Sequence, residues 1–373
     1  MKKILCLVLS IVLVFVFSSC TTDMSISDKS VAQAVSVDLN EDDTVVAIQY
    51  LDWSKGTSTT DGFDNNITSV ASGKGENIIN AVSKASASLS GPIFFGQNKL
   101  IVIGEEYAKN GIGGINDYVF RGINSRPDVI VAISKDNAKD VVSSKENNAK
   151  VPAESMYDMI KTGESVGLSV MVNVNELLNM YNSKTADAYL PCLSVSDDKS
   201  YCDGIMLFSE DKPCAVLDED ETFGFLLLKN LIRGGTINTY DDILGNVGFE
   251  IKNTKVRRKT YCKDDTIFFD ADLKVKIILN DVQKGIAVKI SPEDISRLET
   301  LVSNECKNLC VSAVQKCIDN QSDAFSFGRE LAKYSPAKYN DVQNNWHNEM
   351  KNIKFSVNVS TKLEQISDKS IRK

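Results

Sequence analysis

From Phe269 to Leu279 every odd residue is apolar: Phe269, Ala271, Leu273, Val275, Ile277 and Leu279. Asp270, Asp272, Lys274 and Lys276 stand between them. A period of two places the two classes on opposite faces of one strand, so the segment belongs to a sheet with one buried and one wet face. Further on the period changes. Ile295, Leu298, Val302, Cys306, Leu309, Ala313 and Cys317 recur at three- and four-residue steps, which marks the inner face of a long helix, with Cys310 on its flank. Ser291-Pro292-Glu293-Asp294 is a helix start. Ser291 can cap, Pro292 suits the first position, and the acids favour the positive end of the dipole. A helix containing Trp346 is expected after Pro336. Phe355, Val357 and Val359 then alternate with Ser356, Asn358 and Ser360 as a final strand. Gly204–Phe208 and Pro213–Leu217 read as paired strands around a Ser-Glu-Asp-Lys turn, and Thr254–Tyr261 is extended. The second half is therefore an α+β unit, a mostly antiparallel sheet faced by helices.

The first half alternates strands with helices. Strands are expected at Val45–Leu51, in the run NKLIVIG and at Val129–Ile133. Ser54 to Ser72, rich in Gly, Ser, Thr, Asp and Asn, reads as a loop. Glu76 to Leu89 reads as a helix with Ile78, Ile79, Val82 and Ala85 facing inward. Further helices are expected at Tyr107–Asn110, stopping at Gly111, at Ile115–Asn124, and near Asp136–Ser144, Ala153–Thr162 and Val174–Tyr181. This is a mixed α/β arrangement. The polar stretch Ser194–Tyr201 is the expected boundary, giving units at 20–195 and 200–373, with the long helix at about 292–319 in the second.

Residues 1–19 read as an export signal. Lys2 and Lys3 precede an apolar stretch from Ile4 to Phe17, which is short of the roughly 20 residues a spanning helix needs. Ser18 and Ser19 are small, as a signal peptidase requires, so cleavage is expected after Ser19 and exposes Cys20. No later segment is apolar for long enough to span; FGFLLLKNLI is interrupted by Lys229. A polar tether, Thr21 to about Ser30, follows. Phe17-Ser18-Ser19-Cys20 resembles the bacterial lipobox, with Phe17 where that signal prefers leucine. The resemblance implies that the Cys20 sulfur takes a diacylglyceryl group and that the new amino terminus can carry a palmitoyl-type chain. One acyl chain anchors only marginally, while two or three hold a protein at the membrane.

Charge and cysteine content narrow the partners. The formal charge is −8, and loss of Lys2 and Lys3 with the leader leaves −10. Such a chain repels phosphate backbones, so no nucleic-acid partner is expected. The densest basic run, Arg257-Arg258-Lys259, reads as a solvated strand edge. After Cys20 come Cys192, Cys202, Cys214, Cys262, Cys306, Cys310 and Cys317. An exported chain can pair them, but the number is odd and three belong to the one helical pattern, two in its stripe and Cys310 on the flank, so packed free thiols are the expectation. With one histidine in the chain, no metal site is expected.

Catalytic patterns are thin. GESVG at 163–167 matches the G-x-S-x-G elbow around Ser165, but that motif needs a strand before it, and a helix is expected there. His347, the only histidine, sits among Asn344, Asn345 and Asn348 and reads as a surface residue. SGKGEN lacks the third glycine of a dinucleotide fingerprint. No cofactor site is expected.

Laid end to end, the chain resembles the Ger(x)C lipoproteins, the C subunits of spore germinant receptors. In FFGQNKLIVIGEEYAKNGIGGINDYVFRGINSRPDVIVAIS the residues that fit are Phe94, Gly96, Gly104, Glu105, Glu106, Ala108, Gly111, Arg121 and Arg126. Gln97 stands where the family commonly has histidine. DGIMLFSEDKPCAVLDEDETFGFLLLKN resembles the family's strand–turn–strand and its Glu-Thr before a helix. Asp323, Phe327, Gly328, Pro336 and Trp346 fit its last third, with Phe325-Ser326 in place of a small apolar run. The resemblance implies a multi-domain α/β plus α+β lipoprotein that is not an enzyme. It implies a scaffold or coupling subunit on the extracytoplasmic face of the spore inner membrane, with membrane-embedded A and B subunits as partners. Cys20 carries over as the acylated residue, and no catalytic residue does. Two rival classes are a solute-binding lipoprotein of a transporter and an exported hydrolase using Ser165 and His347.

Overall fold

The computed structural model describes residues 28–55, 66–115, 126–145, 149–283 and 290–366. The leader, Ser19, Cys20, Arg121 and nearly all of the helix expected at Ile115–Asn124 lie outside them. Among the described residues the fold is mixed α/β, built on a large mixed sheet and a smaller, mostly antiparallel one.

The large sheet starts with an antiparallel meander, β1 (Ser30–Asn40), β2 (Asp43–Leu51) and β3 (Thr68–Gly75). Helix α1 (Ile78–Ser86), β4 (Ile93–Phe94), β5 (Leu100–Gly104), α2 (Glu105–Ala108), β6 (Ile130–Ser134), α3 (Ala138–Ser143), α4 (Pro152–Val166) and α5 (Val174–Tyr181) follow. Then come β7 (Tyr189–Ser196), β8 (Lys199–Ser209), β9 (Lys212–Leu217) and α6 (Glu219–Lys229). The sheet runs β3-β2-β1-β5-β6-β7-β8-β9, with β4 beside β1. Strands β1, β5, β6 and β7 are parallel, and β5 and β6 are buried at every position. Such strands have both faces covered, which is why they read as unbroken apolar runs.

Local chemistry fixes the helices. Asn77 caps α1, and Ala81 and Ala85 press its backbone onto β3 at Gly73 and Gly75. A Cβ at Gly73 would lie 2.2 Å from the Ala81 carbonyl oxygen. The inward stripe of α1 is therefore Ile78, Ala81 and Ala85, with Val82 partly buried, while Ile79 is exposed, against expectation. The close approach selects small residues for the sheet side. The expected loop Ser54–Ser72 is also corrected: its end from Thr68 is strand, because Val70 and Ser72 complete pairs with Gln49 and Ala47.

The polar stretch Ser194–Tyr201 is a hairpin turn at Asp197-Asp198, both at positive φ, as a two-residue primed turn requires. The large sheet runs through it from β7 to β8 and on to β9, so the strand pair expected in the second half completes the first sheet.

The small sheet is β10 (Thr236–Asp241), β11 (Gly245–Lys263), β12 (Thr266–Val282) and β13 (Lys354–Ile366). Strands β10 to β12 are antiparallel, and β13 returns parallel to β12. Phe269, Ala271, Leu273, Val275, Ile277 and Leu279 are all buried, as their alternation predicts. Helix α7 (Pro292–Asp319) crosses the buried face and starts in a Ser291–Asp294 capping box. Its stripe holds Cys310, fully buried, where Leu309 is only partly so. The cause is Gly224 of α6: a Cβ there would lie 2.1 Å from the Leu309 carbonyl oxygen, so α6 and α7 touch backbone to backbone. The Glu-Thr pair, Glu221 and Thr222, lies inside the first turn of α6 rather than before it. After α7 come α8 (Phe327–Tyr334), α9 (Pro336–Val342) and the short α10 (Trp346–Glu349). The single helix expected around Trp346 is thus broken into short pieces. The basic run does lie on a strand edge, since β10 pairs only with Gly245–Glu250 of β11 and Arg257–Lys259 ladder with β12 alone; Arg257 and Lys259 face outward, but Arg258 is turned to the buried side rather than solvated.

Candidate functional site

The structure does not assemble the hydrolase pair. Ser165 lies in the last turn of α4, where its Oγ donates to the Lys161 carbonyl at 3.3 Å. A helix, not a strand, leads into Gly167, so there is no elbow. His347 sits on α10, where Nε2 lies 2.9 Å and 3.1 Å from the two carboxylate oxygens of Asp187. Its side chain is 28% exposed, so it is a half-buried ion-pair partner rather than the expected surface residue. The groups around it are Asp187, Glu210 and Asp323, and hydrogen bonding to Asp187 raises its pKa.

His347 belongs to a polar splice between the two sheets. Asp187, just before β7, accepts the Asp323 N–H at 2.7 Å and the Glu210 N–H at 3.1 Å. Its own N–H donates to the Asp323 carbonyl at 3.1 Å. Asp323, in the loop after α7, accepts N–H bonds from Phe327 at 2.5 Å, Gly328 at 2.9 Å and Trp346 Nε1 at 2.8 Å. Burial pushes its carboxyl up to about 7, with those donors pulling the other way. A Cβ at Gly328 would lie 3.0 Å from Asp323 Oδ2 and 3.1 Å from the Trp346 ring, so only glycine fits without movement. Asp323, Phe327, Gly328 and Trp346, scattered in the sequence, are one constellation.

An aromatic cluster lies beside it. Phe225 of α6 contacts Tyr189 of β7 at 5.1 Å between centroids and Phe325 at 4.9 Å. Phe327 meets Phe269 of β12 at 4.7 Å and Phe325 at 5.6 Å. These contacts join the large sheet to the small one through α6. Phe325, the departure from the family pattern, fills the centre of the cluster. Lys229 closes it: its ammonium donates to the Ala324 carbonyl at 2.8 Å and lies 4.5 Å from the Tyr189 ring centre. Desolvation lowers its pKa to about 7. An open cleft of about 590 Å³ lies over the splice, lined by Tyr181, Lys184, Asp187, Glu210, Trp346 and His347 among others.

The first-half residues form a second splice. Gly104 ends β5 and begins α2, and a Cβ there would lie 2.4 Å from Asp38 Oδ1. Asp38, at the end of β1, accepts the Ala138 and Lys139 N–H groups at 2.6 Å and 2.8 Å and so anchors the start of α3. Gly111 takes φ 99° against Asp211 of the β8–β9 turn. Gln97 is exposed, and Arg126 pairs with Asp128 at the surface. The crevice above these strand ends, about 710 Å³, is lined by six acids among other residues, with Lys135 as its one lining base. Among the described residues no group of His, Cys, Asp or Glu is placed to hold a metal ion. The seven cysteines from Cys192 to Cys317 are free, and burial pushes the Cys192, Cys214 and Cys306 thiols up to about 12. Asp187, Glu210 and Lys229 carry the splice without a readable motif, and only the polar interruption by Lys229 in FGFLLLKNLI hinted at it.

Comparison with known proteins then places the chain. A spore germination protein N-terminal domain model matches residues 23–195, and a spore germination B3/GerAC-like C-terminal model matches residues 203–367. The chain belongs to the Ger(x)C family of spore germination proteins. The two models meet at the β7–β8 hairpin, inside the large sheet. Spore germination protein GerQC of Bacillus cereus is 23% identical over 371 residues, covering 98% of this chain and 99% of that protein. Spore germination protein KC of Bacillus subtilis (strain 168) is 21% identical, covering 93% and 92%. The crystal structure of the GerBC protein superposes with a TM-score of 0.58 at 19% identity, over 88% of this chain and 96% of that one, so the two share a fold. Among the described residues, no helix is long and apolar enough to cross a membrane.

Proposed function

We propose that this chain is the lipid-anchored C subunit of a nutrient germinant receptor, a non-enzymatic scaffold that couples membrane-embedded A and B subunits during spore germination. The observation that carries this reading is what the family residues do. Asp323, Phe327, Gly328 and Trp346 bond one another, and Gly104 packs on Asp38. The Asp323 group joins the two sheets and Asp38 with Gly104 fixes the start of α3 on the large one, as a subunit that transmits contacts needs, rather than a nucleophile with a base. Cys20 supplies the attachment: with a diacylglyceryl group on its sulfur and cleavage after Ser19, it holds the body on the extracytoplasmic face of the spore inner membrane. Tethering confines the search for partners to the membrane plane and raises their effective concentration.

Fractionation tests the anchor. The Cys20→Ala variant is expected in the soluble fraction and the native chain in the membrane fraction, with mass spectrometry of the native amino terminus finding diacylglyceryl-cysteine. Wild-type membrane retention of the variant would refute the anchor.

A further inference from the structure

The outer face of the small sheet takes no part in either splice. Across it, register sets Lys255 of β11 directly opposite Lys274 of β12, and Lys276 beside Lys362 of β13. Like charges directly opposite on a ladder weaken it. Lys276 shares Glu364 with Lys252, and Asp272 is bonded by Asn358 at 3.2 Å. Among the described residues Lys255, Arg257, Lys274 and Lys362 have no ion-pair partner. Lys255, Arg257, Lys274 and Lys276 line one concavity of about 640 Å³. A cluster of cations on a chain of net charge −8 runs against the sign of the whole molecule.

We infer that this face docks on a bilayer bearing anionic phospholipid headgroups. Charge complementarity selects a layer of phosphates. No aromatic side chain lines this concavity, whose outward positions are Lys255, Arg257, Asp272, Lys274, Lys276, Asn358 and Ser360; the half-buried Tyr261–Phe268 pair and Ile278 lie on the same face beyond it, so the concavity lacks the aromatic anchor that centres a protein–protein interface. The cations stand in adjacent rows on a sheet, so several meet one plane together. The inference rests on the lipid-anchored reading: a tether from Thr21 to Lys29 spans at most about 30 Å, so an anchor at Cys20 keeps the body beside the bilayer. One acyl chain with a basic patch holds far better than either alone. The repulsion between Lys255 and Lys274 is relieved when phosphates lie over them.

The test uses residues 21–373, which hold every described element and lack the acylated cysteine, in sedimentation with vesicles. Binding to phosphatidylglycerol–phosphatidylcholine vesicles, and not to phosphatidylcholine alone, is expected, and it weakens with salt. Each basic residue at such a surface contributes about a fivefold factor, so Lys255→Gln with Lys274→Gln is expected to weaken binding about 30-fold. Lys84→Gln with Lys161→Gln, on exposed helix positions, makes the same net-charge change and is expected to leave binding nearly intact. The sheet variant is expected to melt no lower than wild type, because it removes a like-charge pair. Absence of binding to the anionic vesicles, or equal loss in the two variants, would overturn the inference. So would unchanged vesicle binding with lost recovery of integral membrane proteins, which would assign the face to an acidic protein surface. Because the sample carries no lipid, these outcomes are independent of the Cys20→Ala result.

Discussion

Replacing Asp323 tests the splice at its centre. The carboxylate accepts from Phe327 N, Gly328 N and Trp346 Nε1, and the residue is 1% exposed. Asp323→Ala strands those donors, and each buried unpaired donor costs about 1–3 kcal/mol. The substitution also relieves the desolvation that pushes the carboxyl up to about 7, and it removes repulsion from Asp187, which offsets part of the loss. The net expectation is a destabilisation of about 3–5 kcal/mol, in the range seen when one member of a buried charged network is removed. Asp323→Asn keeps the shape and one acceptor oxygen. Its amide N–H₂ must then face at least one N–H, so about 1–3 kcal/mol is expected. At about 2–4 °C per kcal/mol, the alanine variant melts roughly 10 °C below wild type, with asparagine between them. Trp346 is 3% exposed and Trp53 is 53% exposed, so a Trp53→Phe background lets fluorescence report the splice alone. In that background Asp323→Ala is expected to red-shift Trp346 emission and admit acrylamide. Melting of both variants within about 1 °C of wild type, or of asparagine below alanine, would refute the reasoning.

Gly328→Ala is expected to cost about 1–3 kcal/mol, read by denaturant unfolding, since its Cβ meets Asp323 and Trp346 at 3.0 Å and 3.1 Å; no change would mean that the loop yields freely. His347 has its pKa raised by Asp187, so its contribution is full below the unfolded value of about 6.5 and is lost as pH rises through the folded value. The gap in melting temperature between wild type and His347→Gln is therefore expected to be widest near pH 6 and to narrow above it, the reverse trend counting against the pair. Native thiol labelling is expected to modify half-buried Cys262 before Cys192, Cys306, Cys310 or Cys317, with peptide mapping as the check.

The small sheet was legible because one of its faces is wet. Alternation in β12 and the capping box of α7 carry their own physics, and both stand where the sequence puts them. Strand β1 shows the opposite case. It lies inside the large sheet and is buried along nearly its whole length, so it has no polar face to alternate with, and its Ser, Ala and Gln residues mask it further. Ile79 was misplaced because hydrophobicity pointed inward, whereas close packing on Gly73 selected alanines. The polar signal at Asp197-Asp198 is a hairpin turn within the large sheet, and it is also where the two family models meet. Asp323, Gly328 and Trp346 were legible as family residues, but the bond that ties them to the large sheet was not, because Asp187, the partner of Asp323, lies more than a hundred residues away. Long-range pairing of that kind leaves no local period.

The most direct measurement of the account is recovery of the tagged, acylated chain from detergent-solubilised spore inner membranes, with mass spectrometry of what comes with it. Two polytopic membrane proteins in constant ratio to the chain, lost together in the Cys20→Ala strain, are the predicted result. Recovery of an ATP-driven transporter instead, or of no integral membrane protein while the chain itself is abundant, would contradict it.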